Sequence, residues 1–182
     1  VDMVFPEASR SSDDHALSTV LRAWPITVAQ VLSVNQHNAS LVVGALRPSS
    51  STLLQSHPQI HLRSPVAQGY IANHAALGIL PCVGHISPEV DRDGTIRRVA
   101  PWITYQGQAY PSLVLAQWAC SPDGQAYLAT HPSLSYPANW SVPYRYLPKQ
   151  YVSIPAYQIL SGAVPVGLLK GRHALVGASA LG

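Results

Sequence analysis

The first part of the chain places one amphipathic stretch between two apolar runs. Val1–Phe5 is a short apolar run that a proline ends, which predicts a strand followed by a turn. Residues 11–24 repeat apolar side chains at i, i+3 and i+4 spacing, which predicts a helix capped by Ser12 or Asp13. Ile26–Val34 is rich in β-branched residues and predicts a second strand. Strand, helix and strand in this order form a βαβ unit, so we expect the two strands to be parallel.

The middle of the chain shows a two-residue period on both sides of a polar connector. Cys82–Ser87 and Ile96–Tyr105 alternate their side chains with this period, and Asp91–Gly94 stands between them. Two such runs around an Asp/Gly connector predict an antiparallel hairpin, here Val83–Tyr105.

The other periodic segments predict helices and a last strand. Pro65–Leu77 has a proline in its first turn and a glycine just after its end, which favours a helix. We also expect helices at Tyr110–Ala119 and at Ile154–Leu160, where Gly162 ends the second one. The closing apolar run, His173–Gly177, predicts a buried strand.

Together these elements predict an α/β fold in a single domain. We expect a mixed sheet with flanking helices and with the antiparallel hairpin at one edge. The parallel core of that sheet would consist of Val1–Phe5, Ile26–Val34 and His173–Gly177.

Composition narrows the classes of partner. The 182 residues fit one domain with a sizeable core. Only 10% of them are charged, against roughly 25% in an average soluble domain. The net charge is +3, and the basic residues are scattered, with Arg97–Arg98 as the only adjacent pair. Nucleic-acid binding normally needs a clustered basic face, so we expect no nucleic-acid partner.

The two ends of the sequence suggest an excised domain. The chain opens within one predicted strand and finishes just past another, and no run approaches the ~20 apolar residues that a membrane span needs. We therefore expect residues 1–182 to be one domain that is truncated at both ends.

Asp91–Gly94 has the look of the start of a calcium loop. An EF-hand loop needs Gly at its sixth position and Glu at its twelfth. Here Gly stands at the fourth position and Trp102 at the twelfth. Asp and Gly are also the residues that tight turns prefer, so we expect a turn and no ion.

The histidines and glycines predict neither a metal nor a cofactor. His57 and His61 have helical spacing for two ligands, but Pro58 interrupts the helix and the glutamate of a zinc protease motif is missing. The other histidines show no ligand spacing, and the chain has neither a Walker loop nor the G-x-G-x-x-G motif.

Cys82 and Cys120 are the only cysteines. On the predicted elements, Cys82 starts a strand, and Cys120 ends a helix of about ten residues, which spans about 15 Å. Disulfides need Cα atoms within ~7 Å. We therefore expect two free, packed cysteines.

Ser179 stands in a near match to the nucleophile elbow of α/β hydrolases. The sequence Gly177–Leu181 lacks the final Gly of G-x-S-x-G, and the acid and His of such a triad should follow the Ser. Only three residues follow Ser179, so a periplasmic hydrolase is a minor alternative function.

An ordered set of motifs identifies a family. The chain contains FPE before a helix that begins Asp13-Asp14, then VGHISPEVDRDGTIRRV, YPSL and finally ILSGAVPVGLLKGRHALVGASALG. This set resembles the type-two CHASE family, the sensory extracellular domains associated with cyclases and histidine kinases. The regions Asn35–Arg63 and Ser135–Tyr151 match that pattern least closely.

The resemblance implies an extracytoplasmic, periplasmic input domain of a bacterial inner-membrane receptor, with membrane helices on both sides of this chain. It implies a cytoplasmic output such as a diguanylate cyclase with or without a phosphodiesterase. An adenylate or guanylate cyclase, or a histidine or serine/threonine kinase, are alternative outputs. The domain itself would have no catalytic activity. It would respond to a small-molecule or protein signal and work as a homodimer, whereas a passive interaction domain would bind a partner without such a response.

Ligands of open α/β sheets favour the carboxyl ends of the parallel strands. On the predicted strand order, Glu7 and Ser179 lie at these ends. They are the candidate ligand-binding residues of the sequence.

Overall fold

The computed structural model describes residues 1–34, 41–48, 63–131 and 137–178. Two short 3-10 helices, Ala75–Leu77 and Pro148–Gln150, accompany the main elements. In chain order the main elements are α1 (Ser11–Ala23), β1 (Thr27–Ser33), β2 (Val42–Val43), β3 (Gly69–Ile71), β4 (Cys82–His85), β5 (Glu89–Val90), β6 (Ile96–Val99), β7 (Trp102–Tyr105), β8 (Gln108–Pro111), α2 (Leu113–Cys120), α3 (Pro122–Thr130), β9 (Trp140–Ser141), α4 (Ala156–Leu160) and α5 (Val166–Leu169).

The largest sheet has the strand order β2-β3-β1-β4. Its central strand, β1, is parallel to β4, with the register Thr27↔Cys82, and antiparallel to β3, with the register Val31↔Ile71. Two smaller sheets, β5-β6-β9 and β7-β8, are antiparallel. Helices together with a mixed sheet that contains parallel strands confirm the predicted α/β class.

The parallel core differs from the prediction, because the partner of β1 in a parallel ladder is β4. The first residues lie beside β1, where the carbonyl of Val1 accepts from the Ala29 amide, but they form only a single parallel bridge, Asp2↔Gly177. Residues 3–5 pair with no strand, and the Phe5 amide instead donates to the Asn73 side chain at 2.9 Å. Residues 173–177 are exposed, so the prediction of a buried strand there was wrong.

The predicted long hairpin is divided between three sheets. Its tip is confirmed, because β5 and β6 pair around Asp91–Gly94 and the Gly94 amide donates to the Asp91 carbonyl at 2.9 Å. Its first strand instead belongs to the large sheet as β4. The end of its second strand, β7, pairs with β8 across a two-residue turn at Gln106 and Gly107.

The predicted helix at Pro65–Leu77 is wrong. The Thr104 amide donates to the Pro65 carbonyl, the segment then forms β3, and only Ala75–Leu77 turns helically. Backbone hydrogen bonds to distant strands satisfy the amide and carbonyl groups of this segment. Such tertiary pairing overrides a local helical preference.

The other predicted helices are confirmed with corrected ends. Helix α1 has Arg10 rather than Ser12 or Asp13 at its N-cap position. Helix α2 begins at Leu113, because the two residues before Ser112 belong to β8. The Ser112 hydroxyl caps α2 by accepting from the Leu115 amide at 3.3 Å.

Cys82 and Cys120 form a disulfide with their Cα atoms 6.3 Å apart, so the prediction of two free cysteines was wrong. The β7–β8 hairpin delivers the chain to the carboxyl end of β4, where His85 and Ser112 form a bridge. Helix α2 therefore runs back along β4. Its rise of about 10 Å matches the roughly 10 Å length of β4, so the last residue of α2 returns to the level of the first residue of β4.

Candidate ligand-binding cleft

A cleft of about 500 Å³ lies at the carboxyl end of β1. Its walls come from the end of β1, from β3 and from the loop that follows β4. Residues that line it are Val31, Leu32, Ser33, Val34, Leu41, Pro65, Tyr70, Ile71, Ser87, Pro88, Glu89, Ala100, Ile103 and Asn139. Because β1 and β4 are parallel, their carboxyl ends meet at this edge, the general position of ligands in open α/β sheets.

The floor of the cleft is apolar and well packed. Leu32 and Ile103 are almost completely buried, and both belong to one core cluster with Tyr110. Beside them, Tyr70 packs edge-on against Tyr105 with 5.3 Å between the ring centroids. The volume lies in the range of small-molecule sites, which are typically lined by apolar side chains and a few placed polar groups.

The cleft has few polar groups, and one of them is a buried hydrogen-bond acceptor without a partner among the described residues. The Ser87 hydroxyl accepts from the Leu32 amide at 2.8 Å, which holds the loop after β4 against the edge of β1. The Glu89 carboxylate lies 3.5 Å from the Arg98 guanidinium, and its side chain is 42% exposed. The Asn139 Oδ1 atom is buried and has no hydrogen-bond partner in the described parts of the chain. The cleft therefore suits a mainly apolar molecule that carries a hydrogen-bond donor.

His85 lies in β4, close to the cleft, but it is completely buried. Burial lowers the pKa of this imidazole to about 4, and the nearby Ala100 carbonyl raises it only in part. Neither ring nitrogen has a well-formed hydrogen bond within the described residues. The side chain is therefore neutral at physiological pH and serves as part of the core.

The tip of the β5–β6 hairpin carries the densest group of charges. Arg97 contacts Asp91 at 2.9 Å and Asp93 at 2.7 Å, and Arg98 contacts Asp91 at 2.5 Å. Hydrogen bonds from Arg97 lower the pKa of Asp93 to about 2. Both carboxylates are paired with guanidinium groups beside the Asp91–Gly94 turn. Across the described residues no three His, Cys, Asp or Glu side chains are grouped closely enough to hold a metal ion.

The structure does not place the sequence-derived candidates in the cleft. Glu7 is exposed in the loop before α1 and does not line the cleft. Ser179 lies outside the described residues, as do His57 and His61. A ligand-binding role for Glu7 or Ser179 stays a prediction.

Ser87, Glu89 and Asn139 line the cleft but are not among the residues that the sequence indicated. A signal was available for the first two, because they directly follow the apolar run of β4. A long hairpin would place both residues between its two strands, whereas the pairing of β4 with β1 puts them at the carboxyl edge of the sheet. Asn139 follows a stretch with no clear periodicity, so no sequence signal pointed to it.

Comparison with known proteins identifies one family. The family model described as CHASE2 domain matches residues 1–182, the whole chain. No curated protein and no solved structure matches the chain. None of the helices in the described residues is long and apolar enough to span a bilayer.

Proposed function

The chain belongs to the CHASE2 domain family, whose members are extracellular sensory domains of signalling receptors, and we propose that it is the periplasmic input domain of a bacterial inner-membrane receptor. The family match over the whole chain carries this proposal. The sensory domain has no catalytic role of its own. Membrane helices outside this chain would connect it to its output.

The disulfide supports an extracytoplasmic location. Cys82 and Cys120 are the only cysteines of the chain, and they are bonded to each other. Disulfides form and persist in oxidising compartments such as the periplasm, whereas cytoplasmic thiols are kept reduced.

The cleft is the proposed position of the signal molecule. Its walls come from β1 and β3 of the large sheet and from the loop that leads into β5 of a second sheet. A ligand that contacts both sheets stabilises one relative arrangement of them. A population shift of this kind carries information without any reaction at the site.

The proposed output is a diguanylate cyclase, with or without a phosphodiesterase, that works as a dimer. The alternative outputs are an adenylate cyclase and a histidine kinase, which the same input domain would control. The sequence resemblance described above supports these outputs.

Reporter fusions to the full-length receptor test the location. Alkaline phosphatase matures only outside the cytoplasm, so a fusion within this domain should be active and a green fluorescent protein fusion at the same residue should be dark. The reverse result would place the domain in the cytoplasm and overturn the proposal.

A cleft-filling variant tests the ligand position. Val34 lines the cleft and is 45% exposed, so Val34→Trp places a large side chain there without entering the core. The matched control is Val114→Trp, on a 72% exposed position of α2 that does not line the cleft. We expect Val34→Trp alone to change cyclic di-GMP synthesis by membranes that contain the full-length receptor. Equal synthesis by both variants and wild type would show that the cleft does not control the output.

A further inference from the structure

Residues 142–178, here called the C-terminal segment, leave most of their apolar side chains exposed to solvent. None of the described side chains in this segment is buried. Leu160 is 88% exposed, Val166 86% and Tyr144 70%. Single exposed apolar residues are common on soluble proteins, but a continuous stretch of them marks an interaction surface.

The charged residues of this segment are all basic. Its sequence contains four basic residues and no acidic residue. The rest of the chain has seven basic and eight acidic residues, so the net charge of +3 comes from the C-terminal segment. The four basic residues are Arg145, Lys149, Lys170 and Arg172.

The C-terminal segment is attached to the folded domain at both ends. Near its start, the Val142 amide donates to the Arg97 carbonyl at 2.8 Å and the Tyr144 hydroxyl donates to the Ile96 carbonyl at 2.6 Å. Near its end, the Asp2 amide donates to the Val176 carbonyl at 2.7 Å. The exposed apolar and basic side chains are therefore carried on a surface of the domain.

We propose that the C-terminal segment docks on the surface of an anionic lipid bilayer. Tyrosines favour the headgroup level of a membrane, because they have an apolar ring and a polar tip. Aliphatic side chains enter the acyl boundary, while Lys and Arg bury their stems and keep their charges at the lipid phosphates. The segment supplies all three side-chain types in exposed positions. The tyrosines with this role are Tyr146, Tyr151 and Tyr157.

Charge complementarity favours a bilayer over a second copy of this chain. In a two-fold symmetric interface the same surface meets itself, so the four cations of one copy would face those of the other. The segment has no carboxylate to separate them, and like charges across an interface oppose binding. Anionic lipid headgroups provide the missing negative charges.

Co-sedimentation of the 182-residue chain with vesicles tests this surface. One set of vesicles is phosphatidylcholine, and the other also contains phosphatidylglycerol. We expect binding to the anionic vesicles only, weakened by salt. Each basic residue near an anionic membrane strengthens binding about fivefold, so Arg145→Gln with Lys149→Gln should weaken it about 25-fold.

Matched variants separate this surface from general properties of the protein. Leu160→Gln with Val166→Gln should also weaken vesicle binding. Arg92→Gln and Ile79→Gln, at exposed positions outside the segment, should leave binding within about twofold of wild type, because bilayer attraction falls off with distance from the surface. All these positions are exposed, and unchanged far-UV circular dichroism checks that the fold is kept.

Three results would overturn the proposal. The first is equal binding to neutral and anionic vesicles, and the second is equal binding of wild type and the segment variants. The third is the absence of vesicle binding by a chain that sediments as a dimer and becomes monomeric in Leu160→Gln with Val166→Gln. The vesicle assay uses neither the receptor output nor the cleft, so its failure is distinct from a failure of the proposed function.

Discussion

Cys82, the first residue of β4, is bonded to Cys120, the last residue of α2. The bond joins positions 38 residues apart in the sequence. It closes the unit in which β7, β8 and α2 return the chain to the start of β4. At the other end of α2, the backbone of Leu113 lies directly against Gly84 of β4. The disulfide and this contact together hold α2 along the full length of β4.

Removing the disulfide should destabilise the domain. Cross-linking a loop of this length restricts the unfolded chain, which corresponds to about 2–4 kcal/mol of folding free energy. We expect the variant with Cys82→Ala and Cys120→Ala to lose this amount in urea unfolding followed by circular dichroism. Wild type in reducing agent is the control and should unfold near the variant. An unchanged midpoint on reduction would show that the bond does not contribute to stability.

His85 should make the domain sensitive to acid. Its folded-state pKa of about 4 lies below the ordinary value of 6.5, so the unfolded chain binds a proton in this pH range and the folded chain does not. The stabilisation is complete above pH 6.5 and is lost as the pH falls toward 4. Integration over this interval gives about 3 kcal/mol.

Urea unfolding at several pH values of wild type and His85→Leu measures this effect. The leucine cannot titrate, and it leaves no buried nitrogen without a partner. Between pH 4 and 6.5 we expect unfolding of this variant to take up about one proton fewer than unfolding of wild type, so its stability depends less steeply on pH. An equal slope in wild type and His85→Leu would contradict the assignment.

Gly84 should tolerate no side chain. A Cβ atom there would lie 2.5 Å from the Leu113 Cα and 2.7 Å from the Ser112 carbonyl oxygen. These are backbone atoms at the start of α2, so relief requires the helix to move away from β4. We expect Gly84→Ala to cost about 3 kcal/mol or more in unfolding free energy.

Gly167→Ala is the matched substitution for Gly84→Ala. Nothing lies within 4 Å of a Cβ atom at Gly167, which belongs to α5. Alanine is the better helix former, so this variant should be neutral or more stable by up to about 1 kcal/mol. Equal melting temperatures of the two variants would contradict the close packing of α2 on β4.

The β7–β8 turn should be improved by asparagine. Gln106 has a φ of +48° and Gly107 a φ of +78°, and both positive angles are typical of a type I′ turn. Asparagine adopts this conformation at less cost than glutamine, so Gln106→Asn should stabilise the domain by about 0.5–1 kcal/mol. Gln108→Asn is the control and should give no gain, because Gln108 is already in strand β8. Thermal unfolding of both variants measures the difference, and a lower melting temperature for Gln106→Asn would contradict the turn type.

Elements that depend on local chemistry were predictable. Helix α1 follows from the apolar period of its residues, and strand β1 follows from its β-branched residues. The Asp91–Gly94 turn follows from the preference of aspartate and glycine for tight turns. Gly162, with a φ of +71°, follows the short helix α4 as expected. The order of the motifs was sufficient to identify the family.

Elements that depend on distant partners were not predictable. Cys82–His85 has the same two-residue period in a hairpin and in a parallel ladder, so its pattern does not name its neighbour. Gly69–Ile71 lies in a segment with helical features and becomes a strand only because β1 has a free edge beside it. The proline and glycine signals of a short segment cannot report such an edge.

The sequence by itself determined the α/β class, the family, the position of the hairpin tip and the positive charge of the C-terminal segment. These properties depend on residue types and on neighbours along the chain. Only the tertiary structure decided that Cys82 meets Cys120, that β4 pairs with β1, and that Ser87 and Asn139 line one cleft. Each of these contacts joins residues far apart in sequence, and it exists because the β7–β8 hairpin and the sheet order set which backbone groups come within bonding distance.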